Sequence, residues 1–251
     1  MPLFEESRQL FSVSGMAIPY TLRHSSKRQS LAIRIEEDGG VRVLAPARLD
    51  EPVIERFLQQ KHNWIHKKVG QAKARFQYLS QRAFSDGQEF PFLGRKFRIT
   101  IDRANIARVQ VIFDGSQWLI RLPEVESGEP HRTHIRPKMI QWYQQQAKEI
   151  IGGRVWHYAR IMNVQPQTIA IRNQRRIWGS CDYRKKSIRL NWQIVMTPLS
   201  VIDYVVVHEL CHLAVPNHSP RFWRKVAQVI PDYLHRQKWL KDNAWELILP
   251  S

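Results

Sequence analysis

The 251 residues, 43% hydrophobic and 24% charged, are enough for one large or two small globular domains. No apolar run approaches the ~20 residues that span a bilayer, so a membrane protein is not expected. The 39 Lys/Arg outnumber 22 Asp/Glu for a net charge of +17, and residues 131–251 alone carry 19 against 7. Such an excess either solubilises a surface or attracts phosphate, as nucleotide, nucleic acid or anionic lipid. The opening MPLFEESRQLF has acidic residues where a signal peptide has lysines, which predicts a cytoplasmic protein. Cys181 and Cys211 are then free thiols, not a disulfide framework.

In chain order, MAIPYTLRH, SLAIRIEE and VRVLAP read as three short strands, the last two joined by the hairpin signal Asp38-Gly39-Gly40. Asp50 and Pro52 open a long helix, EPVIERFLQQKHNWIHKKVGQAKARFQYL, whose apolar stripe is Val53, Ile54, Phe57, Leu58, Trp64 and Ile65. EFPFLGRKFRITID, RVQVIFD and QWLIRL are strand-like, with turns at Gly94 and Asp114-Gly115. VESGEPHRTH, residues 125–134, is the best linker, and it divides the chain into residues 1–128 and 129–251. A helix then runs from Ile135 to about Met162, weakened or bent at Gly152-Gly153. TIAIRN and SIRLNW are strands flanking a loop, QRRIWGSCDYRKK, and three helices close the chain from Pro198, Ser219 and Asp232. The fold class is α+β: a β-rich N-terminal half with one long helix, then an α+β half.

The chemistry is concentrated in VVVHELCHLAVPNHSPRFW. His208-Glu209-Leu210-Cys211-His212 fits H-E-x-x-H, in which histidines one helical turn apart leave the same face and bind one Zn²⁺. Glu209 is placed to act as general base on water activated by the metal. His218 is the favoured third ligand because the short turn Ala214–Asn217 can return it, with Asp232 and Glu246 as carboxylate alternatives. Val215 stands where a metzincin has glycine, so that subclass is not expected. His62 and His66 share the i, i+4 spacing but lie among lysines without a glutamate, and are read as surface residues. Cys211 is read as a small buried hydrophobe, and Ser180-Cys181 as a tight turn near the metal.

RIWGSCD, SIRLNW, VIDYVVVHELCHL, NHSPRFW and PDYLHRQKWL, in that order, resemble the YgjP-like metallopeptidase family, itself similar to SprT-type and WLM-type zinc proteases. YTLRHSSKRQSLAIRI, GGVRVLAP and FLGRKFRI also look like the family's N-terminal strands, so the resemblance covers nearly the whole chain. It implies a zincin-like catalytic half at 129–251, an HExxH helix packed on a small sheet, with Zn²⁺ on His208, His212 and His218 and Glu209 as base. Where the family carries a basic residue before Trp-Gly-Ser-Cys, this chain has Ile177, with Arg175 and Arg176 just upstream. Substrate-binding candidates are Arg176, Asn191, Arg221 and Tyr233; Tyr233 is a possible oxyanion donor, although packing is its favoured role. Ser187–Trp192 is the candidate strand for pairing with an extended peptide.

Three substrates fit these features: a peptide or protein, a nucleoside triphosphate such as UTP, or proteins on nucleic acid. Some members of the resembled family are assigned pyrophosphatase activity, and Arg172, Arg175, Arg176, Arg184, Lys185, Lys186 and Arg221 would suit polyphosphate. Non-specific nucleic-acid binding through the basic C-terminal half is the third expectation.

Overall fold

The computed structural model describes residues 5–11, 17–124, 131–174 and 177–250. It is α+β, and contacts divide it into two units, Met1–Arg82 and Ala83–Ser251.

The first unit holds β1 (Glu5–Phe11), β2 (Ala17–Ser25), β3 (Ala32–Ile35), β4 (Val41–Pro46), α1 (Glu51–Gln60) and α2 (His62–Gln81). Its sheet runs β1-β2-β4-β3, with β2 and β4 parallel and β3 and β4 antiparallel. The β3–β4 turn needs Gly39, which sits at φ +90°, a conformation open to glycine at little cost. Alternation along β4 buries Val41, Val43 and Ala45 against Ile54, Leu58, Ile65 and Val69 of the helices. The single long helix expected here is two, interrupted at Lys61, whose φ of −100° and ψ of 3° leave helical geometry. The break changes the stripe: Ile54, Leu58 and Ile65 are buried, whereas Val53 and Trp64 face solvent. Strand β1 was not expected; EESRQLF shows little of the apolar alternation that marks a strand.

The second unit opens with β5 (Glu89–Phe92), β6 (Arg95–Ala104), β7 (Gln110–Phe113) and β8 (Trp118–Pro123), ordered β5-β6-β8-β7. The helix α3 (His131–Ile161) runs unbroken through Gly152-Gly153. It lays Tyr143 and Trp142 into an aromatic cluster with Trp118, Phe92 and Phe113. The buried Tyr143 hydroxyl donates to the Pro91 carbonyl at 2.7 Å, so its polar tip is satisfied inside the core. These contacts place the division between Arg82 and Ala83, not at 128/129, because β5–β8 share one core with α3. Of the expected linker, residues 125–130 lie outside the described residues, and 131–134 form the first turn of α3.

The remainder positions the site. β9 (Thr168–Arg172), β10 (Gly179–Asp182) and β11 (Ser187–Asn191) form a sheet of order β10-β11-β9. A 3₁₀ turn, Trp192–Met196, leads into α4 (Leu199–His212), followed by α5 (Pro220–Val229) and α6 (Tyr233–Asn243). Among the described residues no helix is long and apolar enough to cross a membrane.

Candidate metal centre

The sequence LSVIDYVVVHELCH gives α4 no polar face in its first two turns, so the helix is buried on nearly all sides. The one carboxylate there, Asp203, is met by the Arg154 guanidinium of α3 in a two-point contact of 2.6 and 2.9 Å. This fork anchors α4 with its C-terminal turn carrying His208 and His212.

After His212 the chain reverses sharply. The Ala214 and Val215 amides both donate to the Cys211 carbonyl, and three residues after Val215 His218 arrives just before α5. His218 Nε2 lies 3.0 Å from His208 Nε2, and the candidate ligand atoms of His208, His212 and His218 all fall within 4.8 Å of one another. His212 Nδ1 lies 3.2 Å from the Val215 carbonyl; with its proton there, the lone pair of Nε2 is left for a ligand. Phe222 of α5 packs on all three rings, at 4.5–4.9 Å between centroids. Trp223 stacks on His218, and Tyr233 stacks on Trp223.

Electrostatics favour a cation. Burial, with His212 and His218 beside it, pushes His208 down to about 3, and burial lowers His212 as well, so both are neutral with free lone pairs. Burial pushes the Glu209 carboxyl up to about 8. Three imidazoles converge in one cleft beside the carboxyl, and neutral nitrogen donors of this kind suit a divalent transition metal. The residues therefore fit the group. Asp232 is held by Arg236 and Glu246 by Lys96, and neither joins the cluster. Among the described residues no other His/Cys/Asp/Glu triad converges, and His62 and His66 do not.

The triad opens into a cleft of about 640 Å³. One wall is β10, which pure sequence reading left inside a loop. A Cβ built on Gly179 would lie 2.5 Å from Glu209 Oε1, so the carboxyl rests directly on the glycine backbone. Gly179–Asp182 is thus a strand whose missing side chain at Gly179 makes room for Glu209, and Ser180-Cys181 is not a tight turn. Ile177, Trp178 and Cys181 continue this wall, and Tyr204, one turn before His208, forms another with its hydroxyl bonded to Gln237. Tyr204 and Gln237 were not singled out from sequence, although the i−4 spacing to His208 points to the tyrosine. Cys181 lines the cleft but is not among the converging ligands, and its thiol is pushed up to about 12 by burial and by Glu209 and Asp182. Cys211 is fully buried, as a small hydrophobe would be.

Strand β11 is central, with β10 on one side and β9 on the other, so Ser187–Trp192 offers no free edge to a peptide. The edge strand facing the cleft is β10. Asn191 is 1% exposed and braces the approach to β10: its amide donates to the Gln174 and Ile177 carbonyls, and its own N–H to Trp178. It holds the wall and does not line the cleft. Arg221 lies in a separate groove, and Tyr233 is a packing partner of Trp223. Arg175 and Arg176 lie outside the described residues. Lys241 is the cation of the cleft lining; Arg172, Arg184, Lys185 and Lys186 are absent from it.

The family profile described as YgjP-like metallopeptidase domain matches residues 29–243. Among solved structures, the metallopeptidase zymogen of Pyrococcus abyssi abylysin is 22% identical with a TM-score of 0.34, over 36% of this chain and 92% of that one. The zymogen of Methanocaldococcus jannaschii jannalysin is 19% identical with a TM-score of 0.35, over 38% and 96%. A search of curated proteins gives no match.

Proposed function

The chain belongs to the YgjP-like metallopeptidase family, whose profile spans residues 29–243, and from that premise we propose that it is a zinc-dependent peptidase with Glu209 as general base. The observation that carries the reading is the convergence of His208, His212 and His218 beside a carboxyl that rests on the edge strand of a small sheet. His208, His212 and His218 would hold Zn²⁺, which when bound polarises a carbonyl and lowers the pKa of water.

The chain's own residues do the rest. The backbone of β10 pairs with an extended peptide and lays its scissile amide across the cleft. Glu209 accepts a proton from the attacking water at a carboxylate oxygen and passes it to the nitrogen of the leaving amine, so the amide C–N bond breaks with no net change in the enzyme. Gly179 keeps that carboxyl within reach of both partners. Trp178 and Tyr204 shield the reacting groups from bulk water.

The composition of the wall favours a peptide over a phosphoanhydride. A triphosphate brings several negative charges, and Lys241 is the one cation among the described residues lining the cleft. An edge strand bordered by Ile177 and Trp178 suits a neutral, extended backbone instead.

The test pairs metal content with parallel assays. Elemental analysis should find a single equivalent of zinc in the wild type and loss of it in His212→Ala and His218→Ala. Peptide hydrolysis should fall by about 10²–10⁴-fold in Glu209→Gln, with zinc retained. Pyrophosphate release from a nucleoside triphosphate by the wild type, abolished in Glu209→Gln and without peptide cleavage, would replace this reading with the nucleotide one.

A further inference from the structure

α5 has two faces with different tasks. Phe222 and Val226 point into the core, while Arg221, Arg224, Lys225 and Gln228, at spacing i, i+3, i+4 and i+7, share the outer face. These four side chains and Ala214-Val215 line a groove of about 280 Å³, distinct from the metal cleft. None of the three cations is ion-paired to a carboxylate among the described residues, so their charge is uncompensated.

Lys225 and Gln228 also line an adjoining groove of about 410 Å³ with Tyr158, Ile161, Met162 and Val229. That wall is apolar and aromatic, and Ile161 at the end of α3 is 58% exposed, an unusual amount for a large aliphatic side chain. Two short grooves thus meet at Lys225, one basic and one apolar.

We infer that the outer face of α5 binds a nucleotide unit, with phosphate oxygens on Arg221, Arg224 and Lys225 and the base against Tyr158, Ile161 and Met162. Uncovered guanidinium groups on one face of a helix match phosphate oxygens in charge and fork geometry. The adjacent wall offers flat aliphatic surface at Ile161 and Met162 beside the Tyr158 ring, one face of which is covered by the Arg154 guanidinium, and the Gln228 amide stands at the join to reach the edge of a base. An acyl chain would need a longer apolar track than Ile161, Met162 and Val229 supply. The unit can come from a free nucleotide or from a single strand of nucleic acid; the recognising chemistry is the same.

Calorimetric titration of the metal-loaded protein with inorganic tripolyphosphate, a nucleoside triphosphate and a single-stranded oligothymidylate tests the site. The triphosphate should bind about tenfold tighter than tripolyphosphate, the difference being the base contact. Arg224→Glu should weaken all three ligands by about tenfold or more. Ile161→Asn, which removes the apolar surface without adding charge, should weaken the triphosphate and the strand and leave tripolyphosphate unchanged. Lys148→Glu, the same kind of charge change on an exposed position of α3, should change binding less than about twofold. A strand bound more tightly than the mononucleotide upholds the site with nucleic acid as its source, and the reverse order upholds it with a free nucleotide. Three results would overturn it: equal weakening by Lys148→Glu and Arg224→Glu, which marks a general field effect; phosphate binding that survives Arg224→Glu but vanishes with the metal, which puts it at the histidines; or capture by anionic vesicles without nucleotide binding.

Discussion

At the scale of single residues, Gly179 leaves the room that Glu209 occupies beside the histidines. Its backbone is where Glu209 rests, and any side chain there meets the carboxyl at 2.5–2.8 Å. Because the nearest backbone is a paired strand, the glutamate must move. Gly179→Ala should therefore lower turnover by about 10- to 100-fold while leaving zinc content intact, since the carboxylate and not the ligand set is displaced. Unchanged turnover in a zinc-replete Gly179→Ala protein would sink this account. The convergence of the three histidines was legible from spacing alone, because i, i+4 on a helix fixes a shared face and a four-residue reversal limits where His218 can go. Gly179, Asn191 and Arg221 were not. A glycine shows its purpose only when the atom it makes room for is known. The roles of Asn191 and Arg221 depend on which surface each side chain meets: a buried loop for one and a separate groove for the other.

At the scale of elements, the site depends on how α4 is set against α3. The Arg154–Asp203 fork, with the Tyr158 hydroxyl bonded beside it, is a polar contact in a largely apolar interface, and Asp203 is 7% exposed. Asp203→Ala leaves the half-buried Arg154 guanidinium with Tyr158 but without its carboxylate, and should cost about 1–3 kcal/mol in a denaturant titration. Since α4 carries His208 and His212, zinc affinity should fall with it. A loss below about 0.5 kcal/mol would mean the fork is solvent-screened and α4 is held by apolar packing alone. The helices of this half were readable in the sequence because their apolar periodicity is sustained over many residues. β10 was not, because four residues, Gly-Ser-Cys-Asp, have no strand character of their own. The pairing with β11 makes them a strand, and a partner brought by the fold leaves no mark on local composition. The same reason hid the position of β11, which reads as a strand in isolation but sits mid-sheet.

At the scale of the whole molecule, the family profile at residues 29–243 crosses the division between Arg82 and Ala83, so family membership alone does not locate the catalytic unit. Composition pointed to 125–134 because Gly, Pro and polar residues cluster there. Packing decides otherwise: Phe90, Phe92, Trp118, Ile120 and Leu122 of the strands share one core with Ile135, Met139 and Tyr143 of α3. Sequence patterns show which side chains are apolar, not which distant ones they meet. The two boundaries make opposite predictions. A chain starting at residue 129 would expose that face of α3, and each large side chain returned to water costs about 1.5–3 kcal/mol. A handful of them exceeds the ~5–15 kcal/mol that holds a typical domain together. Residues 83–251 produced alone should therefore unfold cooperatively and bind one equivalent of zinc, whereas residues 129–251 should show no cooperative transition. If the shorter fragment melts cooperatively and takes up zinc, then the aromatic cluster around Trp118 and Tyr143 does not support the metal centre, and β5–β8 are an appendage to a smaller catalytic fold.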